Sequence, residues 1–308
     1  MPTTTPRGRS GATGVAVVAA LGLTLAACGA PGTSPADTAP DASSSDDAQQ
    51  YAAFATLLEK GDGGPRLCLG GVNESYPPQC GGPVILGLDW ADVADAETAS
   101  GVTWGSGWVV GTYDGEAFSL TEPVRTDPPA GVIPPTSSWT SPEALCEDPF
   151  RGGREGGYPT EAGPDGPALD AEGASAVGQL QERSAALPGY VELFVSDGYS
   201  EFNVLLTESS DVDAAHSALR EVWQGFLCVA ARDLPSNAES QEASAALNDD
   251  PGELGLLSWG ADTVGGRFGV EVVLADDETR ARITDLLSPW YEADDVDLTG
   301  RLVPVEVG

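Results

Sequence analysis

The placement of five cysteines constrains this 308-residue chain more than any other feature. One of them, Cys28, directly follows an apolar run from Val15 to Ala27 that is interrupted only by Gly22 and Thr24. The run is about as long as the core of an export signal and too short to cross a bilayer, which takes roughly 20 residues. Arg7 and Arg9 precede it, and no acidic residue occurs before Cys28. Small residues at Ala26 and Ala27 let the chain lie extended in a peptidase cleft. A cysteine at the first mature position offers a thiol for alkylation by diacylglycerol. Residues 1–27 are therefore expected to be a signal peptide that is removed.

The tetrapeptide Leu25-Ala26-Ala27-Cys28 resembles the bacterial lipobox. The resemblance implies lipid addition to Cys28 and a protein held to the extracytoplasmic face of the cell membrane. Two acyl chains on one thioether anchor stably where one would be marginal. Arg7-Gly8-Arg9 is not a twin-arginine pair, so the general export route is expected.

Setting Cys28 aside leaves Cys68, Cys80, Cys146 and Cys228, an even set that in an exported chain reads as two disulfides. Four cysteines allow three pairings. Cys68–Cys80 with Cys146–Cys228 keeps each bridge within one domain and its entry segment, and loop entropy assigns these bridges roughly 3 and 4.5 kcal/mol. A metal site is the rival. It lacks a close cysteine pair, and His216 is the only histidine. No metal and no cofactor are expected.

The chain from Cys28 onward has 308 − 27 = 281 residues, enough for two domains. It keeps 12 basic against 48 acidic residues, a formal charge of 12 − 48 = −36. Such a chain is repelled by phosphate backbones, which excludes nucleic acid as a partner. It is repelled by anionic headgroups too, so the lipid on Cys28 must be its link to the membrane.

Residues 28–50 are rich in Ala, Ser, Thr, Pro, Gly and Asp and read as a disordered tether reaching roughly 25 Å. Residues 51–123 read as a small all-β domain. Phe54–Glu59 and Arg66–Leu69 flank a glycine-rich turn. Val109–Tyr113 and Glu116–Leu120 flank Asp114-Gly115, and a two-residue turn there would pair Tyr113 with Glu116 and Gly111 with Phe118. Five short strands with glycines at bends suggest a β-barrel-like domain of OB type. Residues 124–142 read as a Pro-rich linker, and Gly152–Pro167 as a glycine-rich loop.

Residues 143–308 read as an α+β domain with internal duplication. A helix over Asp170–Leu187 leads into strands Tyr190–Val195 and Glu201–Leu206, a helix Asp211–Gln224 and a strand Phe226–Ala230. The same strand-strand-helix-strand order recurs as Leu254–Trp259, Phe268–Leu274, Asp277–Ser288 and Leu298–Val305. Leu219 and Trp223 match Leu286 and Trp290 at a constant offset of 67. Ser236 and Glu239 make a capping box for a helix between the units. Each unit resembles the small prodomains of secreted bacterial serine proteases, a likeness of pattern that implies no activity.

The segments Cys68-Leu69-Gly70-Gly71-Val72, Ser75-Tyr76-Pro77-Pro78-Gln79-Cys80 and Asp89-Trp90 resemble a module recurring in exported lipoproteins of high-GC Gram-positive bacteria. The resemblance implies a secreted module without naming its chemistry. Pro77-Pro78 stiffens a loop that a Cys68–Cys80 bridge would close, leaving Tyr76 as a candidate contact residue. Trp104 and Trp108 flank Gly105-Ser106-Gly107 in a strand and could form an apolar ledge for a sugar or peptide, or fill a small barrel core.

Catalytic groups are sparse. A Ser–His–Asp triad would have to use His216, which lies on a helix at the edge of an apolar stripe. Asp276-Asp277-Glu278 suits a helix N-terminus, and Asp294-Asp295-Val296-Asp297 lacks the glycine turn and terminal Glu of a calcium loop. A non-catalytic lipoprotein recognising a protein or envelope ligand is therefore expected. A small-solute-binding accessory protein is the alternative, followed by a carboxylate-based hydrolase.

Overall fold

The computed structural model describes residues 49–73, 75–132, 142–163, 166–249 and 254–305. Cys28, the expected signal segment and nearly all of the expected tether lie outside them. The described residues belong to one unit, Asp47–Gly308. Its fold is mixed α+β, with a closed five-strand barrel and four helices.

The barrel is built from β1 (Gln50–Lys60), β2 (Pro65–Cys68), β3 (Val84–Leu86), β5 (Val102–Tyr113) and β6 (Ala117–Leu120), with β4 (Glu97–Ala99) extending its edge. The ring order is β1-β2-β3-β6-β5, closed by antiparallel pairing of β5 with β1 from Gln50↔Thr112 to Lys60↔Val102. The β3–β6 pair is parallel. Strand alternation sends Ala53, Ala55 and Leu57 inward, where they meet Leu67, Leu69, Ile85, Val109 and Phe118. The inward positions of β5 include Gly107, where a Cβ would lie 2.5 Å from Val124 Cγ1. The missing side chain lets the segment after Pro123 press onto the strand. Val124 thereby enters the barrel core, and Val132 is buried against Trp108. The first half of the Pro-rich stretch 124–142 is thus packed on the barrel, while residues 133–141 lie outside the described set.

The β5–β6 register differs from the two-residue turn expected at Asp114-Gly115. Tyr113 pairs with Phe118 and Gly111 with Leu120. The Asp114 carboxylate accepts from the backbone N–H of both Glu116 and Ala117, at 2.9 and 2.7 Å. Those two bonds favour a four-residue turn over the shorter one. The Phe118 ring still covers Gly111, where a Cβ would stand 2.8 Å from Phe118 Cε1.

The stretch expected as a loop at Gly152–Pro167 contains a strand, β7 (Thr160–Gly163), which pairs with β8 (Gly166–Leu169). Helix α1 (Ala171–Ala185) follows, capped by Asp170, whose side chain accepts from Gly173 N–H. Then come β9 (Tyr190–Val195), β10 (Phe202–Thr207), α2 (Val212–Arg220) and β11 (Leu227–Arg232). Helix α3 (Asn237–Asn248) carries the capping box of Ser236 and Glu239 and leads into β12 (Leu256–Asp262), β13 (Arg267–Val272), α4 (Asp277–Leu287) and β14 (Val296–Gly300). In each set the middle strand is antiparallel to the first and parallel to the third. Strand–helix–strand crossovers need that parallel pair.

Burial picks out the large core side chains of each set. Phe202 and Phe268 are buried on the middle strands. Trp223 meets Phe202 edge-to-face with ring centroids 4.8 Å apart, and Tyr291 lies tilted against Phe268 at 5.1 Å. Leu219 and Trp223 are fully buried, but Leu286 and Trp290 are only half-buried, and the core positions belong to Leu287 and Tyr291. The constant offset of 67 therefore does not describe the packing. Helix α2 spans 9 residues and α4 spans 11, so the offset slides along the unit.

The C-terminal stretch Leu298–Val305, expected as one strand, serves two sheets. Strand β14 pairs with β13, and after Arg301-Leu302 a short β15 (Val303–Val305) pairs with the first residues of β1. Leu302 and Val273 are buried in the barrel core alongside Leu57 and Phe118. The barrel is thus completed by residues some 250 positions from β1.

Candidate functional site

The outer face of the barrel concentrates the features that a binding surface needs. Residues opposite one another in a ladder project to the same side. Even-numbered residues of β1 face outward, and register carries that face across the sheet. Lys60 sits opposite Val102, Leu58 opposite Trp104, Thr56 opposite Ser106, and Phe54 opposite Trp108. Beyond them Glu97 lies opposite Trp104, and Arg66 opposite Leu58.

The loop expected to present Tyr76 folds over one end of this face. The Cys68–Cys80 disulfide and the Asn73 N–H donating to Gln79 O hold its ends together. Cys68 is buried with Leu58 and Val102, so the bridge is rooted in the sheet. Tyr76 is 76% exposed, yet its ring stands edge-on to Trp104, centroids 5.3 Å apart, and its hydroxyl donates to Glu97 Oε2 at 3.4 Å. A cleft of about 400 Å³ runs beside this loop, lined by Leu58, Lys60, Tyr76, Pro78 and Val102 among others. Lys60, the sole lysine of the chain, is exposed there and forms no ion pair among the described residues.

Trp104 and Trp108 share the outer face but not the same exposure. Trp104 is half-buried, whereas Trp108 is 5% exposed, packed under Val132 and against the ring of Phe54 at 5.7 Å. Phe54, 50% exposed, takes the outward role at that end. Two aromatic pairs therefore lie about 13 Å apart along the ribbon, with the hydroxyls of Thr56 and Ser106, 3.3 Å from each other, between them. Phe54 and Lys60 escaped sequence reasoning, although the alternation of β1 places both on the side opposite Ala53, Ala55 and Leu57.

At a second cleft and in the acidic runs, several polar groups are engaged within the fold. A second cleft of about 420 Å³ lies between the end of β10 and the start of α2, lined by Leu187, Leu206, Thr207, Ser210 and Asp211 among others. Its Thr207 and Ser210 hydroxyls bond each other, and Asp211 caps α2. Asp276 caps α4, and Asp297 forms a bidentate pair with Arg267 that holds the aspartate below the ordinary carboxylate range. Among the described residues no group of three or more His, Cys, Asp or Glu side chains converges as metal ligands would, and no helix is long and apolar enough to cross a membrane.

The Cys146–Cys228 bridge joins β11 to the segment before Pro149, and Arg220 reinforces that junction. This buried guanidinium donates to the carbonyls of Arg151 at 2.9 Å, Pro149 at 2.6 Å and Gly225 at 2.7 Å. Its role is to satisfy loop carbonyls. His216, one turn earlier and 7% exposed, is held below its ordinary value near 6.5 by burial and then by Arg220 and Arg151, against weaker pulls from Asp213 and Asp148. Burial disfavours the charged imidazole in the fold, while in the unfolded chain it protonates freely. Stability is thus complete above about pH 6.5 and is lost as pH falls through the lower folded value. His216→Gln should flatten that decline, read as urea midpoints at about pH 7 and pH 5.5; an unchanged slope would exclude His216 as its source.

No protein family, curated protein or solved structure matches the chain.

Proposed function

We propose that this protein is a non-catalytic lipoprotein, anchored through lipid on Cys28 to the extracytoplasmic face of the cell membrane, that recognises an envelope component with the outer face of its barrel. The observation that carries the reading is the exposed pair of Tyr76 and Phe54 flanking half-buried Trp104, on a rigid ribbon whose loop is tied by a disulfide. Exposed aromatics cost solubility without adding stability, and rigid aromatic surfaces bind with little loss of side-chain entropy. The ring order β1-β2-β3-β6-β5 and the parallel β3–β6 pair support reading the barrel as OB-like. The shared pairing of β9–β11 and β12–β14, each preceded by a helix, supports reading the second half as a duplicated unit that carries the barrel.

Two measurements test it. Cys28→Ser should move the protein from the membrane fraction almost wholly to the soluble fraction and abolish incorporation of an alkynyl fatty acid; continued labelling would sink the anchoring claim. A photo-crosslinking amino acid at Phe54 or Tyr76 should capture envelope material in intact cells, while one at exposed Gln241 on α3 should not. Equal capture from both faces, or none from the barrel, removes the recognition claim.

A further inference from the structure

Helix α2 carries Asp213, His216 and Arg220 at helical spacing, which places them along one face. The segment Asp148–Arg151 is tied to both ends of that face. At the N-terminal end the Arg151 side chain pairs with Asp213 at 3.2 Å. At the C-terminal end Arg220 donates to the carbonyls of Pro149 and Arg151. His216, the sole histidine of the chain, lies between the two ties and is buried. The clasp continues through the next turn. A Cβ at Gly153 would stand 2.7 Å from Arg220 Nη1, and Arg154 N–H donates to Gln224 O at 2.8 Å. No helix or strand forms between Cys146 and Thr160. Side-chain and loop contacts therefore hold this segment over its aromatic neighbours, where Phe150 meets Phe226 at 5.9 Å.

The clasp is one-sided in charge. Arg220 is buried and forms no ion pair among the described residues; its partners are backbone carbonyls. The charged groups facing His216 are Arg220 and Asp213 on its own helix, with Arg151 and Asp148 on the segment packed across it. Asp213 is already paired with Arg151, and Asp148 is exposed. A proton on His216 would set a second buried cation one turn from Arg220 with no carboxylate of its own. Water relieves such a pair, and water reaches it when the segment lifts.

We propose that His216 is an acid trigger whose protonation releases Asp148–Gly157 from α2 and uncovers Phe150 and Phe226, while the rest of the fold stays closed. The proton comes from solvent to the free ring nitrogen, and no covalent bond changes. The Cys146–Cys228 bridge keeps the near end of the segment fastened to β11, so it opens as a flap. Closure is complete above about pH 6.5, the ordinary value of a free imidazole, and weakens as pH falls toward the lower value that burial imposes on the ring.

The test uses the full chain with Cys28→Ser for solubility. Hydrogen exchange is read by mass spectrometry at about pH 7 and pH 5.5 and corrected for the intrinsic pH dependence of exchange. Protection of peptides reporting the Arg154 N–H should fall roughly three- to eightfold, while α4 and β13 change less than about twofold. With one histidine in the chain, its Cε1–H resonance needs no assignment, and its titration midpoint should lie below 6.5. The loss of protection should begin near pH 6.5 and level off below that midpoint. His216→Gln, confirmed as folded by circular dichroism at about pH 7, should keep the same protection at both pH values. Unchanged protection in the parent chain, a loss shared equally by α4 and β13, a loss that persists in His216→Gln, or a midpoint at or above 6.5 overturns the proposal.

Discussion

Replacing Cys146 and Cys228 together by serine should lower the unfolding free energy by about 4.5 kcal/mol, against about 3 kcal/mol for the Cys68/Cys80 pair. The difference follows from loop length, since the bridges close sequence separations of 82 and 12 residues. The longer bridge fastens the segment before Pro149 to β11, where that segment has other ties. Leu145 N–H donates to the buried Asn203 side chain, Leu227 N–H to Pro149 O, and Arg220 to the carbonyls of Pro149 and Arg151. These ties persist in the serine variant, so the native contacts should survive while the unfolded chain gains freedom. Urea denaturation followed by tryptophan fluorescence and circular dichroism reads both variants. A larger loss from the Cys68/Cys80 pair would show that native-state contacts of the Tyr76 loop outweigh loop entropy.

Trp223→Ala is expected to cost about 3–5 kcal/mol, and Tyr291→Ala a comparable amount, while Trp290→Ala costs roughly half as much or less. Trp223 is fully buried between Tyr158 and Phe202, with centroids at 4.7 and 4.8 Å, and its Nε1–H donates to Phe226 O at 2.8 Å. Tyr291 lies against Phe268, and its hydroxyl shares a 2.8 Å bond with that of buried Ser240, which truncation would leave unpaired. Trp290 is half-buried. Denaturant midpoints of the three variants decide which residue is the counterpart of Trp223. A larger loss at Trp290 than at Tyr291 would restore the equivalence suggested by matching tryptophans.

That comparison shows where sequence patterns lead and where they mislead. Matching Leu and Trp residues suggested two similar units, and each helix does bury large side chains against a middle strand. The match itself was one residue out, since a two-residue difference in helix length moves the apolar stripe without changing composition. On the barrel, Tyr76 and Trp104 meet as partners, whereas Trp108 is covered by Val132 and gives its outward place to Phe54. No local signal could report that cover, because Val132 follows Trp108 by 24 residues of loop and strand.

From its residues alone this chain declared its strands by alternation, its helices by their Asp and Ser caps, and its two bridges by an even set of cysteines once Cys28 is set aside. Those signals are local or combinatorial, acting within a turn of helix, a few strand residues or a short inventory of thiols. The tertiary structure alone decided that β5 closes on β1 along its whole length and that Leu298–Val305 splits between two sheets. Each is a choice among sheet edges offering the same backbone hydrogen bonds. What selects one edge is side-chain packing between residues up to about 250 positions apart, as when Leu302 joins Leu57 in the barrel core while the adjacent Val303 pairs with Ala52.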